Sequence, residues 1–384
     1  MNGNNYADHF VITFTHYVYY CNKFDYNCII TIMTKIAFIL GTRPEIIKLY
    51  SCIKYCEDKN IDYFVIDTDQ HYDRNMCDIF FEELGLKPPK YRLGVGSGSH
   101  SQMLASMLVP IEKALLEEKP TVAIVQGDTN TVLAGCLVSI KIGVKVAHIE
   151  AGLRSYDRTM PEEYNRILTD HASDYLFVPT KRQQDILLAE GIDQKNIFIT
   201  GNTIVDAVKA ISSQEKDLPY IDKKFMLLTS HRPSNTDSAT SLEAILSAAQ
   251  SICEDEGMVA IFPVHPRLNS KLDYIKSFNK IIVTEPLGYS DLLNYMKKSD
   301  MIMTDSGGIQ EEACILQKKC IILRTNTERP ETVDVGGSVL LDYISKSDIL
   351  EKYELLKKKE VKWTNPFGDG KSAERIIKVL NGDN

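Results

Sequence analysis

Three acidic residues occupy positions from which a folded chain could move protons. Asp128 and Glu150 each follow or end a short apolar run typical of a buried strand, and Glu162 follows a proline at a predicted helix start. Carboxylates that converge on one cleft raise each other's proton affinity, which produces the acid or base of an active site. The alternative for Asp128 and Glu150 is a structural capping role. Glu162 and the adjacent Glu163 have another alternative: acids in the first turn of a helix are favoured by the helix dipole, and Arg166 could be their partner.

Histidine occurs together with arginine at two further strand ends. His231 precedes Arg232 after the strand that opens the second half of the chain, and His265 lies in Val264-His265-Pro266-Arg267. Such a pair at a domain interface suits a leaving phosphate, because histidine can donate a proton or a hydrogen bond there. We therefore expect His231 to take part in catalysis and His265 to bind substrate, with packing in the protein interior as the alternative.

A serine and two glycines separate a predicted strand from a predicted helix in Asp305-Ser306-Gly307-Gly308-Ile309-Gln310-Glu311-Glu312. The first N–H groups of a helix lack partners and carry positive partial charge, so a turn without bulky side chains can receive a diphosphate. Ser306, Gly307 and Gly308 are therefore candidates for phosphate binding. Glu312, about one turn into the helix, is a candidate acceptor for ribose hydroxyls. An ordinary strand-to-helix connection is the alternative.

Basic side chains that could bind an anion follow two more strands. Arg43 lies in the first strand-to-helix turn and Lys48 about one helical turn later. Arginine binds phosphate bidentately and lysine binds it as a point charge, although Arg43 could instead pair with Glu45. Arg329 follows a strand beside the glycine turn, where it either fixes the loop or touches the ligand.

The elements that must position these residues alternate short β-branched runs with longer amphipathic stretches, a pattern typical of βαβ units and a parallel sheet. The predicted strands are residues 35–40, 63–66, 122–125, 144–149, 175–178 and 197–200, then 225–229, 259–264, 281–283, 301–304, 320–323 and 339–341. Ligands of parallel α/β sheets bind beyond the carboxyl ends of the strands, where almost every polar cluster falls. The sequence therefore predicts two Rossmann-like α/β halves that face each other across a cleft.

Length and local composition divide the chain into four predicted segments. A chain of 384 residues suits two domains, and the polar stretch 212–224 is the predicted link between them. The domains are then residues 33–212 and the nucleotide-binding residues 213–364, followed by a turn-rich break and a last helix within residues 365–384. The leader, residues 1–32, lacks the basic start and the cleavage site of a secretory signal. We interpret it as a misassigned start or a dispensable arm.

Composition and charge exclude several classes of protein. The hydrophobic share of 44% and the charged share of 25% fit a folded globular protein, and the net charge of -8 argues against a non-specific nucleic-acid binder. No run approaches the roughly 18 apolar residues of a membrane span. Nine scattered cysteines without a Cys-x-x-Cys pair indicate reduced thiols in the cytoplasm, with neither zinc nor disulfides.

Taken together, several strings resemble the non-hydrolysing UDP-N-acetylglucosamine 2-epimerases. The resemblance runs from about Lys35 to the final helix, and the motifs occur in the family's order. The strings are Gly41-Thr42-Arg43-Pro44-Glu45, Gln126-Gly127-Asp128-Thr129, His148-Ile149-Glu150-Ala151-Gly152-Leu153-Arg154, Pro161-Glu162-Glu163, Gly201-Asn202-Thr203, Asp305-Ser306-Gly307-Gly308-Ile309-Gln310-Glu311-Glu312-Ala313 and Thr327-Glu328-Arg329-Pro330-Glu331.

The resemblance implies a GT-B fold with the last helix crossing back onto the first domain, usually in a homodimer, with no metal and no nicotinamide. It also implies reversible conversion of UDP-GlcNAc to UDP-ManNAc by elimination. C2 of the sugar loses a proton as UDP leaves C1, and re-addition of UDP to the 2-acetamidoglucal inverts C2.

The family's functional residues carry over motif by motif. Three acids match its catalytic carboxylates and one histidine matches the residue near the leaving diphosphate; these are Asp128, Glu150, Glu162 and His231. The matches to its UDP contacts are Arg43, Lys48, Ser306, Gly307 and Glu312. Our substrate-binding candidates also include Arg166, His265, Gly308 and Arg329. Which carboxylate serves which face of the sugar stays open.

Two strings depart from the family. Many bacterial members have His-Arg-Arg/Ala-Glu-Asn where this chain has His231-Arg232-Pro233-Ser234-Asn235, so a carboxylate beside the histidine is lost. In place of Gln-His-Arg-Glu-Met the chain has Gln70-His71-Tyr72-Asp73-Arg74-Asn75-Met76. In bacterial relatives this second region lies near a site for an activating UDP-GlcNAc, which puts such activation in doubt here. The changed histidine loop could also shift the preference to a modified sugar.

Three other functions compete with this interpretation. A sister epimerase would act on another UDP-2-acetamido sugar, and a GT-B glycosyltransferase would carry an acceptor groove rather than three carboxylates. A non-catalytic UDP-sugar sensor would keep the nucleotide contacts and lose the acids, but this chain has all of them.

Overall fold

Two parallel sheets form the framework of the molecule. The computed structural model of the chain describes residues 9–14, 17–22, 25–32, 34–70, 81–212, 217–220 and 222–382, the first three ranges as backbone strands only. Those three strands, β1 (His9–Phe14), β2 (Tyr17–Asn22) and β3 (Asp25–Ile32), form a small antiparallel sheet. The role of the leader that contains them stays open.

The first large sheet has seven parallel strands in the order β10-β9-β8-β7-β4-β5-β6. Its strands are β4 (Lys35–Leu40), β5 (Asp62–Asp67), β6 (Tyr91–Arg92), β7 (Val122–Gln126), β8 (Lys145–Ile149), β9 (Tyr175–Val178) and β10 (Ile197–Ile199). The prediction missed β6, because two residues cannot show a periodic pattern. The central strands β4, β7 and β8 are mostly apolar and almost entirely buried, as expected of parallel strands covered by helices on both faces.

The second sheet has six parallel strands in the order β13-β12-β11-β14-β15-β16. Its strands are β11 (Phe225–Thr229), β12 (Val259–Pro263), β13 (Ile281–Thr284), β14 (Met301–Thr304), β15 (Cys320–Ile322) and β16 (Ser338–Leu340). The prediction of two parallel α/β halves is confirmed. The division of the chain at residues 212 and 364 stays a prediction, and residues 213–216 and 221 of the predicted link lie outside the described residues.

Helices connect the strands and cover the sheets. Those of the first half are α1 (Arg43–Asp58), α2 (His100–Glu118), α3 (Asn130–Lys141), α4 (Pro161–Ala172), α5 (Lys181–Ala189) and α6 (Thr203–Ile211). Those of the second half are α7 (Pro233–Thr236), α8 (Ala239–Glu256), α9 (Leu272–Lys276), α10 (Tyr289–Lys298), α11 (Gly307–Ile315), α12 (Glu331–Asp334), α13 (Lys346–Lys357) and α14 (Ser372–Asn381). Short 3-10 turns occupy Gln194–Asn196 and Pro266–Lys271.

The last helix, α14, packs against α1 and α6 of the first half. Its buried residues Ile376 and Ile377 belong to an apolar core that also contains residues of both sheets. The backbone N–H groups of Ser372 and Ala373, at the start of α14, donate to the Asp206 carboxylate of α6 at 3.2 and 3.0 Å. The Asp206 side chain of the first half therefore caps α14, the helix that follows the second half and packs on the first.

No helix in the described part of the chain is both long enough and apolar enough to cross a membrane.

Candidate active site

A cavity of about 140 Å³ lies where the carboxyl ends of the two sheets meet. Five of the predicted site residues line it: Lys48, Asp128, Glu150 and Arg166 from the first half, and Arg329 from the second. Glu162 does not line this cavity. The structure thus brings two of the three predicted catalytic carboxylates together, with basic groups around them.

Glu150 is the most constrained of these acids. It follows β8 with a φ of 66°, a left-handed conformation that residues other than glycine rarely adopt. Its buried carboxylate accepts hydrogen bonds from Lys48, from Gln126 and, at 2.9 Å, from Asn202. Burial would raise the pKa of Glu150, but the charges of Lys48 and Arg329 outweigh it and lower the pKa below its usual value. The carboxylate is therefore held ionised.

A second buried acid, Glu311 of α11, meets the same lysine from the opposite domain. Lys48 Nζ lies 3.3 Å from Glu311 Oε2, and the Asn202 amide donates to Glu311 at 3.0 Å. Arg329 Nε lies 3.0 Å from Glu311 Oε1. Burial raises the pKa of Glu311, against the opposing charges of Arg329 and Lys48. Glu311 had no predicted role, although it lies within one of the motifs shared with the epimerases.

Asp128, which is partly exposed at the cavity, is held by Arg166. The guanidinium of Arg166 donates to the Asp128 carboxylate and, at 2.7 Å, to Glu163. Glu163 is buried and accepts hydrogen bonds of 2.9 Å from the backbone N–H groups of Ser155 and Tyr156. Arg166 is thus the ion-pair partner of Glu163. An ion pair with Arg166 was the alternative considered for both Glu162 and Glu163. Arg166 also fixes Asp128 against the loop before α4.

Glu162 stands apart in the first turn of α4. Its side chain is half-buried and forms no hydrogen bond or ion pair with any residue that the structure describes. Its assignment as a catalytic residue stays a prediction.

The motif around Glu150 contains a buried histidine that the sequence analysis left without a role. His148 Nδ1 lies 2.7 Å from the Asp170 carboxylate, and His148 Nε2 lies 2.8 Å from the backbone oxygen of Gly127. Asp170 also accepts from Arg154 at 2.7 Å and from the N–H of Gly152 at 3.1 Å. These contacts fix the turn before Asp128 and the loop after Glu150 relative to each other.

His231 forms an ordered pair with Asp305, the residue that follows β14. His231 Nδ1 lies 2.8 Å from Asp305 Oδ1, and the imidazole is 46% exposed. Asp305 also accepts from Ser230 Oγ at 2.8 Å and from Asn235 at 3.0 Å. Burial would raise the pKa of Asp305, but hydrogen bonding to His231 and its other donors lowers it to about 2. Asp305 therefore stays charged and orients the histidine, leaving Nε2 for other contacts.

His265 lies near His231, with 6.3 Å between the ring centroids. It is exposed, so packing in the interior, the alternative considered from sequence, is wrong for this residue. Burial of part of the ring and the positive charges of His231 and Arg267 lower its pKa.

The glycine turn presents a helix N-terminus. Ser306 caps α11 by accepting from the N–H of Ile309 at 3.4 Å. A Cβ added to Gly307 would lie 2.7 Å from Arg329 Nη1, whereas the nearest atom to one added at Gly308 is 3.9 Å away. Gly307 is needed so that Arg329 can approach the turn, and Gly308 leaves space in front of the helix. The arrangement provides the room and the N–H groups that a phosphate needs.

Glu312 faces Arg43 across the domain boundary. Tyr289 Oη donates to Glu312 Oε1 at 2.9 Å, and Arg43 Nη2 donates to the Leu287 oxygen at 3.3 Å. Burial raises the pKa of Glu312 to about 7. Glu45 accepts from the backbone N–H groups of Gly41 and Thr42 at 2.9 and 2.7 Å, so it caps α1. The charges that act on Arg43 include those of Glu312 and Glu83.

Two further observations bear on the predictions. Within the described ranges, no group of three or more His, Cys, Asp or Glu side chains could hold a metal ion. Of the unusual string 70–76, only Gln70 belongs to the described residues; its side-chain oxygen accepts from Thr131 Oγ1 at 3.1 Å. The question of activation that this string raises lies otherwise outside the described residues.

Comparisons with known proteins point to one family. A family profile described as UDP-N-acetylglucosamine 2-epimerase matches residues 54–381. A UDP-N-acetylglucosamine 2-epimerase of Methanocaldococcus jannaschii is 50% identical over 361 residues, covering 90% of this chain and 98% of that protein. A UDP-2,3-diacetamido-2,3-dideoxy-D-glucuronate 2-epimerase of Pseudomonas aeruginosa is 37% identical over 352 residues, covering 90% and 99%.

A solved structure agrees with these matches. The crystal structure of the M. jannaschii UDP-GlcNAc 2-epimerase in complex with UDP-GlcNAc and UDP superposes with a TM-score of 0.82 at 48% identity. The match covers 91% of this chain and 100% of that one. The similarity therefore includes both α/β halves.

Proposed function

Because the chain belongs to the UDP-N-acetylglucosamine 2-epimerase family, we propose that it reversibly converts UDP-GlcNAc to UDP-ManNAc by elimination and re-addition of UDP. The observation that carries this proposal is the cavity between the domains. There Asp128 and the ionised Glu150 lie together with Lys48 and Arg329, and Arg329 also lies against Gly307 at the N-terminus of α11. A nucleotide diphosphate at that helix would leave its sugar next to the acids.

The chemical difficulty is that no ketone acidifies the hydrogen at C2 of the sugar. Elimination avoids a free carbanion. A carboxylate takes the C2 proton, the C–H electrons form the C1–C2 double bond, and UDP leaves C1 with the electrons of the C–O bond. In the reverse step a UDP oxygen attacks C1 while C2 is protonated from the opposite face. Two faces need two proton-handling positions, which explains why more than one carboxylate is required.

We assign the two positions from among Asp128, Glu150 and Glu162, and the contact with the leaving diphosphate to His231. Asp305 supports this role for His231, because its carboxylate lies 2.8 Å from Nδ1 and orients the imidazole. The diphosphate would bind Ser306, Gly307, Gly308 and Arg43, and the ribose would bind Glu312. Lys48, Arg166, His265 and Arg329 complete the proposed substrate contacts. Burial of the cavity keeps water from the glycal, whose loss would turn epimerisation into hydrolysis.

A second candidate function is the same inversion on a modified sugar. It is favoured by the P. aeruginosa relative that acts on a diacetamido glucuronate, and by Pro233 and Ser234 in the loop after His231. The reaction and the acids would be the same, and only the sugar would differ.

We also propose that the protein works as a homodimer. Three neighbouring helices of the first half carry exposed apolar side chains, which we call the outer helix face: Val109 and Leu116 on α2, Ile140 on α3, and Tyr164 and Leu168 on α4. Several large apolar side chains close together on a surface are typical of a protein interface.

A cytoplasmic location stays a prediction from the cysteine pattern.

Proton NMR of UDP-GlcNAc incubated with the protein in deuterium oxide tests the reaction. We expect UDP-ManNAc to appear with deuterium at C2. An unchanged and undeuterated sugar, under conditions in which UDP binds, would contradict the reaction on this substrate, and the diacetamido glucuronate would be tested next. Appearance of free sugar without epimer would indicate hydrolysis instead.

A further inference from the structure

Six side chains of alternating charge, five buried and one (Arg329) 12% exposed, form a continuous series of ion pairs that ends at Glu150. In order they are Arg324, Glu328, Arg329, Glu311, Lys48 and Glu150. The first three separations are 2.9, 3.6 and 3.0 Å, and Lys48 lies 3.3 Å from Glu311 and in contact with Glu150. We call this set the charge chain.

The charge chain crosses from one domain to the other at a single step. Arg324, Glu328, Arg329 and Glu311 belong to the second half, whereas Lys48 and Glu150 belong to the first. The step is made by Glu311, which accepts from both Lys48 and Asn202 of the first half. Both bonds exist only while the two domains are in contact.

Each half of the charge chain is electrically balanced. The four groups of the second half carry two positive and two negative charges, and the pair in the first half carries one of each. Separation at the Glu311–Lys48 step would therefore leave no buried charge without a partner, which is the costly outcome for buried ion pairs. The domains could part and meet again at this point without that penalty.

Contact between the domains changes what surrounds Glu150. Without the second half, the neighbour of Glu150 in the charge chain is Lys48. When the second half is in contact, the negative Glu311 and the positive Arg329 are added at close range. Asn202 donates to Glu150 and Glu311 at once, at 2.9 and 3.0 Å, so Glu311 also fixes the amide that holds Glu150.

We propose that Glu311 is a positioning residue for the proton transfer by Glu150: from the opposite domain it holds Lys48 and Asn202 in place and balances their charge. Glu150 therefore reaches its working charge and geometry only when the domains meet. This inference rests on the proposed function, since it takes Glu150 to be one of the two proton-handling acids. The ionisable groups that face Glu311 are Lys48, Glu150, Arg329, Glu312, Tyr289 and Cys314.

The test is Glu311→Gln, which keeps the size of the side chain and removes its charge. Lys48 and Arg329 then act on Glu150 without a counter-charge, so the pKa of Glu150 falls and the acid limb of the pH–kcat profile moves about one unit lower. A weaker base in a looser cavity lowers kcat about tenfold or more, with KM changed less than about threefold.

Asp334→Asn is the matched control. Asp334 forms an exposed ion pair with Arg182 across the same domain boundary at 2.6 Å, away from the cavity. Exposed pairs contribute little, so we expect kcat and the pH profile to stay within about twofold and a few tenths of a unit of the wild type. Glu311→Asp keeps the charge on a shorter side chain, and should keep the wild-type acid limb while losing turnover.

Four outcomes decide the matter. An E311Q protein with wild-type kcat and wild-type pH profile overturns the inference, and so does E311D with wild-type kcat. If the wild type fails to epimerise UDP-GlcNAc, the proposed function fails instead. The inference is then tested without turnover, by following the carboxyl carbon of Glu150 through a pH titration by 13C NMR, assigned with E150Q. Equal titration in wild type and E311Q would overturn it.

Discussion

At the scale of single residues, Glu150 combines two unfavourable features. Its left-handed φ costs on the order of 1 kcal/mol, and its carboxylate is buried with two basic groups that must be held in place. Strain of this kind persists where the surrounding contacts determine it, and here Lys48, Gln126 and Asn202 do so. The position therefore fits an acid that must point into the cavity in one orientation.

Glu150→Gln should separate chemistry from nucleotide binding. The amide cannot accept the C2 proton, so we expect deuterium incorporation at C2 to fall by about 10²- to 10⁴-fold. The glycine turn lies in the other domain, so the affinity for UDP, measured by calorimetry, should change less than about threefold. Deuterium incorporation at the wild-type rate would remove Glu150 from the mechanism.

Glu312 should leave a signature in the pH dependence of stability. Its pKa in the folded protein is about 7, against an ordinary value of 4.5, so the folded protein keeps a proton that the unfolded chain has released. Stability therefore decreases as the pH rises from about 4.5 to about 7, and the loss is complete above about 7. Glu312→Gln has no carboxyl proton at this position to lose, so this part of the pH dependence of stability should disappear.

Urea unfolding measures the difference. Between about pH 5 and about pH 8, the unfolding free energy of the wild type should fall by about 2.5 kcal/mol more than that of E312Q. Glu45 has a pKa raised by burial to about 7 as well, but it is present in both proteins and cancels. Parallel curves for the two proteins would contradict the raised pKa of Glu312.

The sequence indicated the strand-end acids but not their partners. Asp128 and Glu150 were found because each stands at the end of an apolar run. Glu311 was missed, although three consecutive polar residues from Gln310 to Glu312 span about 200° of a helix, so at least one must face inward. Asp305 was also missed, although the sequence held a signal for it. A polar residue directly after a buried strand can bind the end of the neighbouring strand.

At the scale of elements, the N-terminus of α11 shows how two adjacent glycines differ. Gly307 is close to the guanidinium of Arg329, which is held by Glu311 and cannot easily move. Gly308 faces open space. The sequence showed two equivalent glycines, because what distinguishes them is a side chain 22 positions away from Gly307 in the chain.

Alanine substitutions should separate their roles. Gly307→Ala is expected to lower the unfolding free energy by about 1–3 kcal/mol, because the added methyl displaces Arg329. Gly308→Ala should leave the unfolding free energy within about 0.5 kcal/mol of the wild type. It should nevertheless weaken UDP binding about tenfold or more, since the methyl projects where the diphosphate would approach. Unchanged UDP affinity in G308A would argue against this turn as the phosphate site.

At the scale of the whole molecule, the meeting of the two halves is what sequence could not supply. Lys48 and Glu311 are 263 positions apart, and no local pattern joins them. Parallel sheets and strand-end clusters follow from periodicity, whereas the relative placement of two domains depends on packing between α6, α10 and α11. The polar clusters at the strand ends supplied the expectation of a cleft, and the structure supplied its contacts.

The outer helix face gives a prediction about assembly. Val109 is 71% exposed on α2, and Val109→Glu would place a charge in an apolar contact between subunits. We expect light scattering after gel filtration to give a dimer for the wild type and a smaller average mass for V109E. Tyr343→Glu, at an exposed apolar residue of the other half, is the control and should stay dimeric. A monomeric wild type would contradict the proposal.

The return of α14 to the first domain has a consequence for synthesis on the ribosome. The first domain emerges from the exit tunnel well before the residues that cover α1 and α6 have been translated. Until Ile376 and Ile377 arrive and Asp206 receives its partners, the nascent domain exposes an apolar surface that chaperones can bind. The domain that is made first is thus completed last.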